Sequence, residues 1–505
     1  MFDENPVNPF TGPDESVTIC RVENRTEEMR RVETMKTRME SDSIGSMNVP
    51  ANAYYGVQSF RAKNNFSITG RQLHPVFIQS LAQIKKAAAV TNRNAGHLKA
   101  DVANAIIRAC EEIIGGKLRS QFIVDPIQGG AGTSANMNAN EVIANRAIEL
   151  LGGRKGDYSV VHPNDHVNMS QSTNDVFPTA GKLTVLKLLP RAVRQLERLA
   201  DALDGKADEF DDVLKMGRTQ LQDAVPIRLG QEFGAYAGAV RRDVARLRHV
   251  QDEMRVVNLG GTAVGTCLNA SPAYLYNITA NLQKVSGLRL RQADDMIDAT
   301  QNLDGFVAVS GTLKTCAVDL SKIANDLRLL SSGPRTGLME IALPAMQNGS
   351  SIMPGKVNPV IPEVVSQAAF NIIGNDQAIT MAAEAGQMEL NAFEPVLFYN
   401  LFESIECLEG AVSTFVDNCV SGIAANREVC RRHLEESVGT VTALSPYLGY
   451  ERAARLAKES LRTGVPVRKL AVREGLLSEE KLNEVLDPAS MTGPALTVHT
   501  ERISV

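Results

Sequence analysis

The stretch DGFVAVSGTLKTCAVDLSKIANDLRLLSSG, residues 304–333, decides how the rest of the chain is read. Phe306, Val309, Leu313, Cys316, Leu320, Ile323, Leu327 and Leu330 succeed one another at steps of 3, 4, 3, 4, 3, 4 and 3. That spacing stacks apolar side chains into one seam along a helix, as in a coiled coil. Stretches 226–257, 360–389 and 395–420 also carry helical apolar spacing, each well beyond the mean helix of ~11–12 residues. A helix near ~30 residues runs about 45 Å, and apolar residues outside a single stripe need other helices to cover them. The spacing therefore predicts a mainly α protein with a long central bundle that associates with further copies. The alternative is that one chain's helices cover each other completely.

Outward from this seam the apolar spacing is helical from Val76 onward, and strand-type alternation is scarce. Short helices around EVCRRHLEES, YERAARLAKES, PVRKLAVREG and SEEKLNEVL mark a small C-terminal domain. The first 38 or so residues mix charges densely around a thin apolar line and read as an accessory segment. The expected division is 1–38, an accessory extension; 39–173, an N-terminal domain; 174–425, the long-helix domain; and 426–505, the helical C-terminal domain.

At 505 residues there is ample material for a buried core. The net charge of −5 argues against general affinity for nucleic acid or anionic membrane. No apolar run approaches the ~18 residues of a bilayer span, and the acidic opening MFDENPVNPF is unlike a secretion signal, so the expected location is the cytoplasm. Seven cysteines without a C-x-x-C pair read as reduced thiols, several of them among apolar residues.

Four segments share one grammar of Gly with small hydroxyl or amide residues leading into a helix: 128–138, 170–179, 217–226 and 349–360. Free N–H groups and the positive dipole end at a helix start suit an anion, and Ser, Thr and Asn add neutral donors. Any one cluster alone reads as a cap. Four of them, one carrying Lys356, point to an anionic small molecule. Familiar motifs fail here. GSSIMPGKV has five residues between its glycines and Val357 where a phosphate loop needs Ser or Thr. Gly130–Ala135 matches G-x-G-x-x-A without βαβ alternation around it. His162 and His166 lack a zinc helix, and no G-x-S-x-G occurs.

At GSSIMPGKVNP the chain resembles the aspartase/fumarase superfamily, whose members carry this loop as a signature. The likeness extends through VPANAYYGVQSFRAKNNF, IQGGAGTSANMNANEVIANRA, HPNDHVNMSQSTNDVFPT, KMGRTQLQDAVP and NDLRLLSSGPR, covering nearly everything from about Met39. The resemblance implies three mainly helical domains and a homotetramer around a multi-helix core, with active sites each built from three subunits. It implies a small dicarboxylate substrate and no required cofactor. Activation by a divalent cation such as magnesium is not readable from the residues.

Position by position, the resemblance makes Ser350 the base that takes a proton from C3 of the substrate. Thr133, Ser172, Thr173 and Ser351 match donors to the resulting enediolate. Lys356 and Asn358 match binders of the other carboxylate, with Thr219 and Gln220 beside them, and Asn174 is placed to hold an amino group. Arg61, Glu363 and His166 match supporting positions. Glu363 reads equally well as a residue complementing a helix dipole, and His166 as structure.

Within the superfamily the leaving group separates the activities. A protonated amine departs without a general acid, whereas hydroxide needs a proton delivered to it. Fumarases resemble GRTHLQDA at 217–224; this chain has Gln220, which cannot titrate. Glu394 stands where fumarases usually show a basic residue. Both favour deamination of L-aspartate over hydration of fumarate. A crystallin-like scaffold without catalysis is the reading from another class, opposed by intact Ser350, Lys356, Asn358 and Thr133.

Overall fold

The computed structural model describes residues 36–487 and 491–493. The expected accessory segment therefore lies almost entirely outside the described residues. These residues form two compact units, one running up to Phe177 with Cys267–Gly287 added, the other Pro178–Thr266 with the chain from Leu288 onward.

The first unit opens with an antiparallel hairpin, β1 (Thr37–Asp42) and β2 (Gly45–Pro50). Helices α1 (Val57–Asn65), α2 (Pro75–Asn94), α3 (Ala100–Ile114) and α4 (Thr133–Leu150) follow, then the start of α5 (Thr173–Glu209). Helix α4 buries an unusual row of polar residues, Asn136, Asn138, Asn140, Glu141 and Asn145. Three of them, Asn138, Glu141 and Asn145, fasten backbone that has no ladder of its own. Asn138 bonds Gln121 O and Ile123 N, and Asn145 bonds Tyr54 O and Gly156 N. Glu141 accepts from the N–H groups of Gly56, Gln58 and Ser59, which caps the bare start of α1. Burial pushes its carboxyl up to about 7, against the pull of those donors. Gly56 leaves the room for this: a Cβ there would fall 2.5 Å from the Tyr158 hydroxyl and 2.6 Å from Glu40.

The second unit begins its own elements with β3 (Leu214–Thr219), β4 (Gln222–Arg228) and α6 (Leu229–Val250). Helix α7 (Pro272–Ser286) belongs to the first unit instead, where Asn281 donates to Thr91 Oγ1 at 2.8 Å on α2. The second unit continues with α8 (Asp304–Leu330), α9 (Val360–Glu384) and α10 (Glu394–Asn418). All eight seam residues of α8 are buried, so the 3,4 pattern marked its packed face correctly. Helices α8 and α10 both pack on α9, and α6 packs on α8. Phe306 of α8 meets Phe398 of α10 edge to face, centroids 4.9 Å apart.

The C-terminal end carries α11 (Arg427–Glu436), then α12 (Tyr450–Thr463), α13 (Val467–Arg473) and α14 (Glu479–Val485), the last three around a small core of Leu444, Leu456, Leu470 and Leu482. Cysteines 110, 316, 419 and 430 are buried free thiols, and 267 and 407 are half-buried free thiols. Among the described residues no helix is long and apolar enough to cross a membrane.

One expectation is overturned. Segment 217–226 does not lead directly into a helix: it forms most of the β3–β4 hairpin, and α6 starts at Leu229 rather than Pro226. Gln220 and Leu221 turn the hairpin at φ of 54° and 62°, the left-handed pair that a tight two-residue hairpin loop requires.

Candidate active site

In the first unit, Gly132 in the left-handed conformation caps α4 and makes Thr133 its first residue. Gly132 has no side chain to cap this end; Gln128 Oε1 accepts the N–H of Ala135 in the first turn at 2.9 Å, and the Thr133 hydroxyl stands exposed at the helix start. Thr133 and Arg61 line one pocket of about 200 Å³ together with Ser134 and Asn65. Arg61 is fixed there by Asp42, with Nη2–Oδ1 at 2.9 Å and Nε–Oδ2 at 3.1 Å, so it is oriented by the turn of the β1–β2 hairpin.

The second anion-type loop enters α5. Ser172 N donates to Asp175 Oδ1 at 3.0 Å, and Ser172 Oγ accepts from Asn174 N at 3.2 Å, which groups Ser172, Thr173 and Asn174 in one turn. Thr173 Oγ1 accepts from Asn136 Nδ2 at 3.1 Å, so its own hydrogen points elsewhere. Beneath this turn lies a residue the sequence reading missed. Lys85 is fully buried and donates to Asn168 Oδ1 at 2.8 Å and Gln171 Oε1 at 3.0 Å. Asn168 Oδ1 also accepts from Asn136 and Asn140 at 3.2 Å. Burial lowers the Lys85 ammonium to about 7, with Asp175 opposing that shift. A lysine on the buried face of an alanine-rich helix, AQIKKAAAV, was the available signal.

His166 sits in the turn Pro163–Val167, where its Nδ1 accepts from His162 N at 2.9 Å. His162 Nδ1 in turn receives the N–H groups of Asn164 and Asp165. Both histidines hold local backbone, and burial lowers the His166 pKa.

In the second unit one loop gathers Ser350, Ser351, Lys356 and Asn358. Gly349 N donates to Lys356 O at 2.8 Å, and Asn358 Nδ2 donates to Gly349 O at 2.9 Å, closing the loop on itself. The Ser350 hydroxyl oxygen accepts two backbone N–H groups, Ile352 at 3.2 Å and Met353 at 2.9 Å. Asn358 therefore fastens the loop in this conformation. Ser351 and Lys356 are exposed. Thr219 and Gln220, also exposed, stand at the tip of the β3–β4 hairpin. Glu363, in the first turn of α9, faces Arg328 at 4.0 Å and is not among the side chains fastening the serine loop. Glu394 is fully buried with neither carboxylate oxygen hydrogen-bonded, and burial holds its pKa well above the ordinary value against the pull of Lys182. It acts inside the bundle.

A family profile described as Lyase matches residues 45–374, and one described as Fumarase C C-terminus matches 441–493. The chain belongs to this lyase family. Among its relatives, an aspartate ammonia-lyase of a Bacillus species is 54% identical over 91% of this chain and 98% of its own length. That of Corynebacterium glutamicum is 46% identical over 96% and 93%. A solved fumarate lyase:delta crystallin from Brucella melitensis, bound to cobalt, superposes with a TM-score of 0.88 at 52% identity, covering 91% of this chain and all of that one. A class II fumarase from Schistosoma mansoni reaches the same TM-score and coverage at 36% identity. The fold is thus shared at 52% and at 36% identity. Among the described residues no group of three His, Cys, Asp or Glu side chains is arranged to hold a metal ion.

Proposed function

We propose that this chain is an aspartate ammonia-lyase, converting L-aspartate reversibly to fumarate and ammonia. Ser350 removes the C3 proton, the C3–H electrons move into the adjacent carboxylate to give an enediolate, and the intermediate then expels the C2 amine as ammonia. Serine is a weak base unless its alkoxide is stabilised. The observation that carries this reading is that Ser350 Oγ accepts two backbone N–H groups, which favour the ionised form.

The enediolate carries one more negative charge than the carboxylate it came from, so donors that wait for it lower the barrier. Thr133 at a helix start, Ser172, Thr173 and Ser351 supply them. Lys356, Asn358 and Thr219 hold the second carboxylate, and Asn174 holds the amine. Gln220 replaces a titrating histidine at the hairpin tip, which suits a leaving group that already carries its protons. Identities of 51–54% to several aspartate ammonia-lyases, against 36% to the class II fumarase, favour the same choice.

The segments belong together in a cytoplasmic homotetramer whose sites each take residues from three subunits. Exposed Phe370 (61%) and Met381 (63%) on α9, with exposed Val318 on α8, support such association. The division at 39–173, 174–425 and 426–505 is part of the same reading.

The test follows fumarate by its ultraviolet absorbance with L-aspartate and, separately, L-malate. Fumarate should form from aspartate alone, and Ser350→Ala should abolish turnover in an intact assembly. Turnover of malate only would make the chain a hydratase, and normal turnover by Ser350→Ala would remove its base.

A further inference from the structure

Glu340 lies on the segment that leaves α8 for the serine loop, and its side chain is completely buried. Two cations and a histidine surround that carboxylate. Arg218 Nη1 donates to Oε1 at 2.8 Å, His433 Nδ1 stands 3.2 Å from the same oxygen, and Lys215 Nζ lies 3.1 Å from Oε2. Burial would push the carboxyl up, but Lys215 and Arg218 outweigh it and hold it below the usual carboxylate range. Lys215, itself 1% exposed, is shared with Glu232 at 2.8 Å.

The backbone of Glu340 is equally engaged. Its N–H donates to Leu330 O at the end of α8, and its carbonyl accepts Asn426 N at 2.9 Å. The next two residues, Ile341–Ala342, pair antiparallel with Ala424–Ala425. Glu340 is therefore a joint between two pieces of the candidate site. Upstream of Ser350 it anchors the root of the loop. Through Lys215 and Arg218 it grips β3, and Arg218 is the residue before Thr219.

A buried ion pair of this kind is a poor device for stability, because taking the charges out of water offsets much of their attraction. What it does well is fix direction. Lys215 and Arg218 lie on the same strand, and their attachment to one carboxylate sets both the register and the tilt of the β3–β4 hairpin against the loop root.

We propose that Glu340 is a positioning residue for the elimination, holding the Thr219 hairpin and the root of the Ser350 loop in one register. The proposal rests on the roles assigned above to Thr219 and Ser350. Wild-type turnover of L-aspartate tests that parent reading on its own.

The experiment measures KM and kcat for L-aspartate in Glu340→Gln, Thr219→Val and the double variant, with assembly size and circular dichroism recorded for each. Glutamine keeps the shape and one acceptor for Arg218 but loses the charge. Each single variant should raise KM about tenfold to a hundredfold, the effect of losing one hydrogen bond to a charged substrate. The double variant should be scarcely worse than Thr219→Val alone, because both changes remove the same contact. Glu340→Asp, which keeps the charge, should recover part of the loss.

If Glu340→Gln lowers only thermal stability and leaves KM at the wild-type value, Glu340 is structural and the proposal falls. Multiplicative effects in the double variant would also overturn it. Should Glu340→Gln not fold, Arg218→Met releases the hairpin alone and takes its place in the same cycle, with the same expected and contrary results.

Discussion

Gly132→Ala is the sharpest perturbation of the first unit's anion-type loops. Gly132 holds φ +83°, and a Cβ built there would lie 2.3–2.5 Å from three ring carbons of Phe177. Phe177 cannot retreat: it is 2% exposed and packs edge to face against Phe77 at 5.1 Å. The left-handed backbone costs about 1–2 kcal/mol for a residue with a Cβ, and overpacking adds roughly 1–3 kcal/mol. The sum, about 2–5 kcal/mol, corresponds to an apparent melting midpoint lowered by roughly 5–15 °C for a unit of this size. Thr133 follows Gly132 directly, and Phe177 lies one helical turn beyond Thr173, so relief of the clash moves both sets of donors. Thermal denaturation should be paired with fumarate formation at subsaturating aspartate, where kcat/KM should fall at least about tenfold. A variant within about 0.5 kcal/mol of wild type and of normal kcat/KM would refute the geometry claimed for this cap.

Lys85 should impose a pH slope on stability. The free ammonium keeps its proton to 10.5 and the buried one only to about 7, so between these values the unfolded chain binds more protons and stability rises with pH, the cost being present in full below about 7. In Lys85→Met that component disappears, and the wild-type minus variant difference in melting midpoint should grow between about pH 7 and pH 9; a constant difference would contradict the buried titration. Gly349→Ala sets a Cβ 2.7 Å from Lys356 O and 2.8 Å from Asn358 N, so kcat should drop while the melting midpoint stays near wild type. Equal activity would show that the closed form of the serine loop is not the working one. Phe370→Arg with Met381→Lys should shift the protein to smaller species on size-exclusion chromatography and remove activity with it; full activity in a monomer would contradict shared sites.

The α8 seam was legible because a coiled-coil-like face repeats locally, and each of its eight apolar residues is buried. Helix α5 was harder to see: Pro178 and Pro190 lie inside its 37 residues, and local rules place breaks at proline. The hairpin at 214–228 escaped the reading because KMGRTQLQDAVPIR has no strict alternation, and its left-handed turn falls on Gln220 and Leu221 rather than on glycine. Helix α7 joins the first unit through contacts with residues far upstream, such as Asn281 with Thr91, which no local pattern contains.

The same division runs through the candidate site. Hydroxyl and amide residues within a short span, such as Ser350 to Asn358, were readable as one loop. Side chains acting at long range were not. Lys85 reaches Asn168, and Glu340 reaches Arg218 and His433, across separations that composition and spacing do not encode.

The most direct measurement is a crystal structure of the Ser350→Ala protein with L-aspartate bound. The account predicts one carboxylate within hydrogen-bond reach of Thr133, Ser172 and Thr173, and the other at Lys356 and Asn358 of a second subunit. Thr219 should stand beside it, with residue 350 next to C3. Aspartate bound away from these helix starts, or held wholly by one subunit, would contradict it.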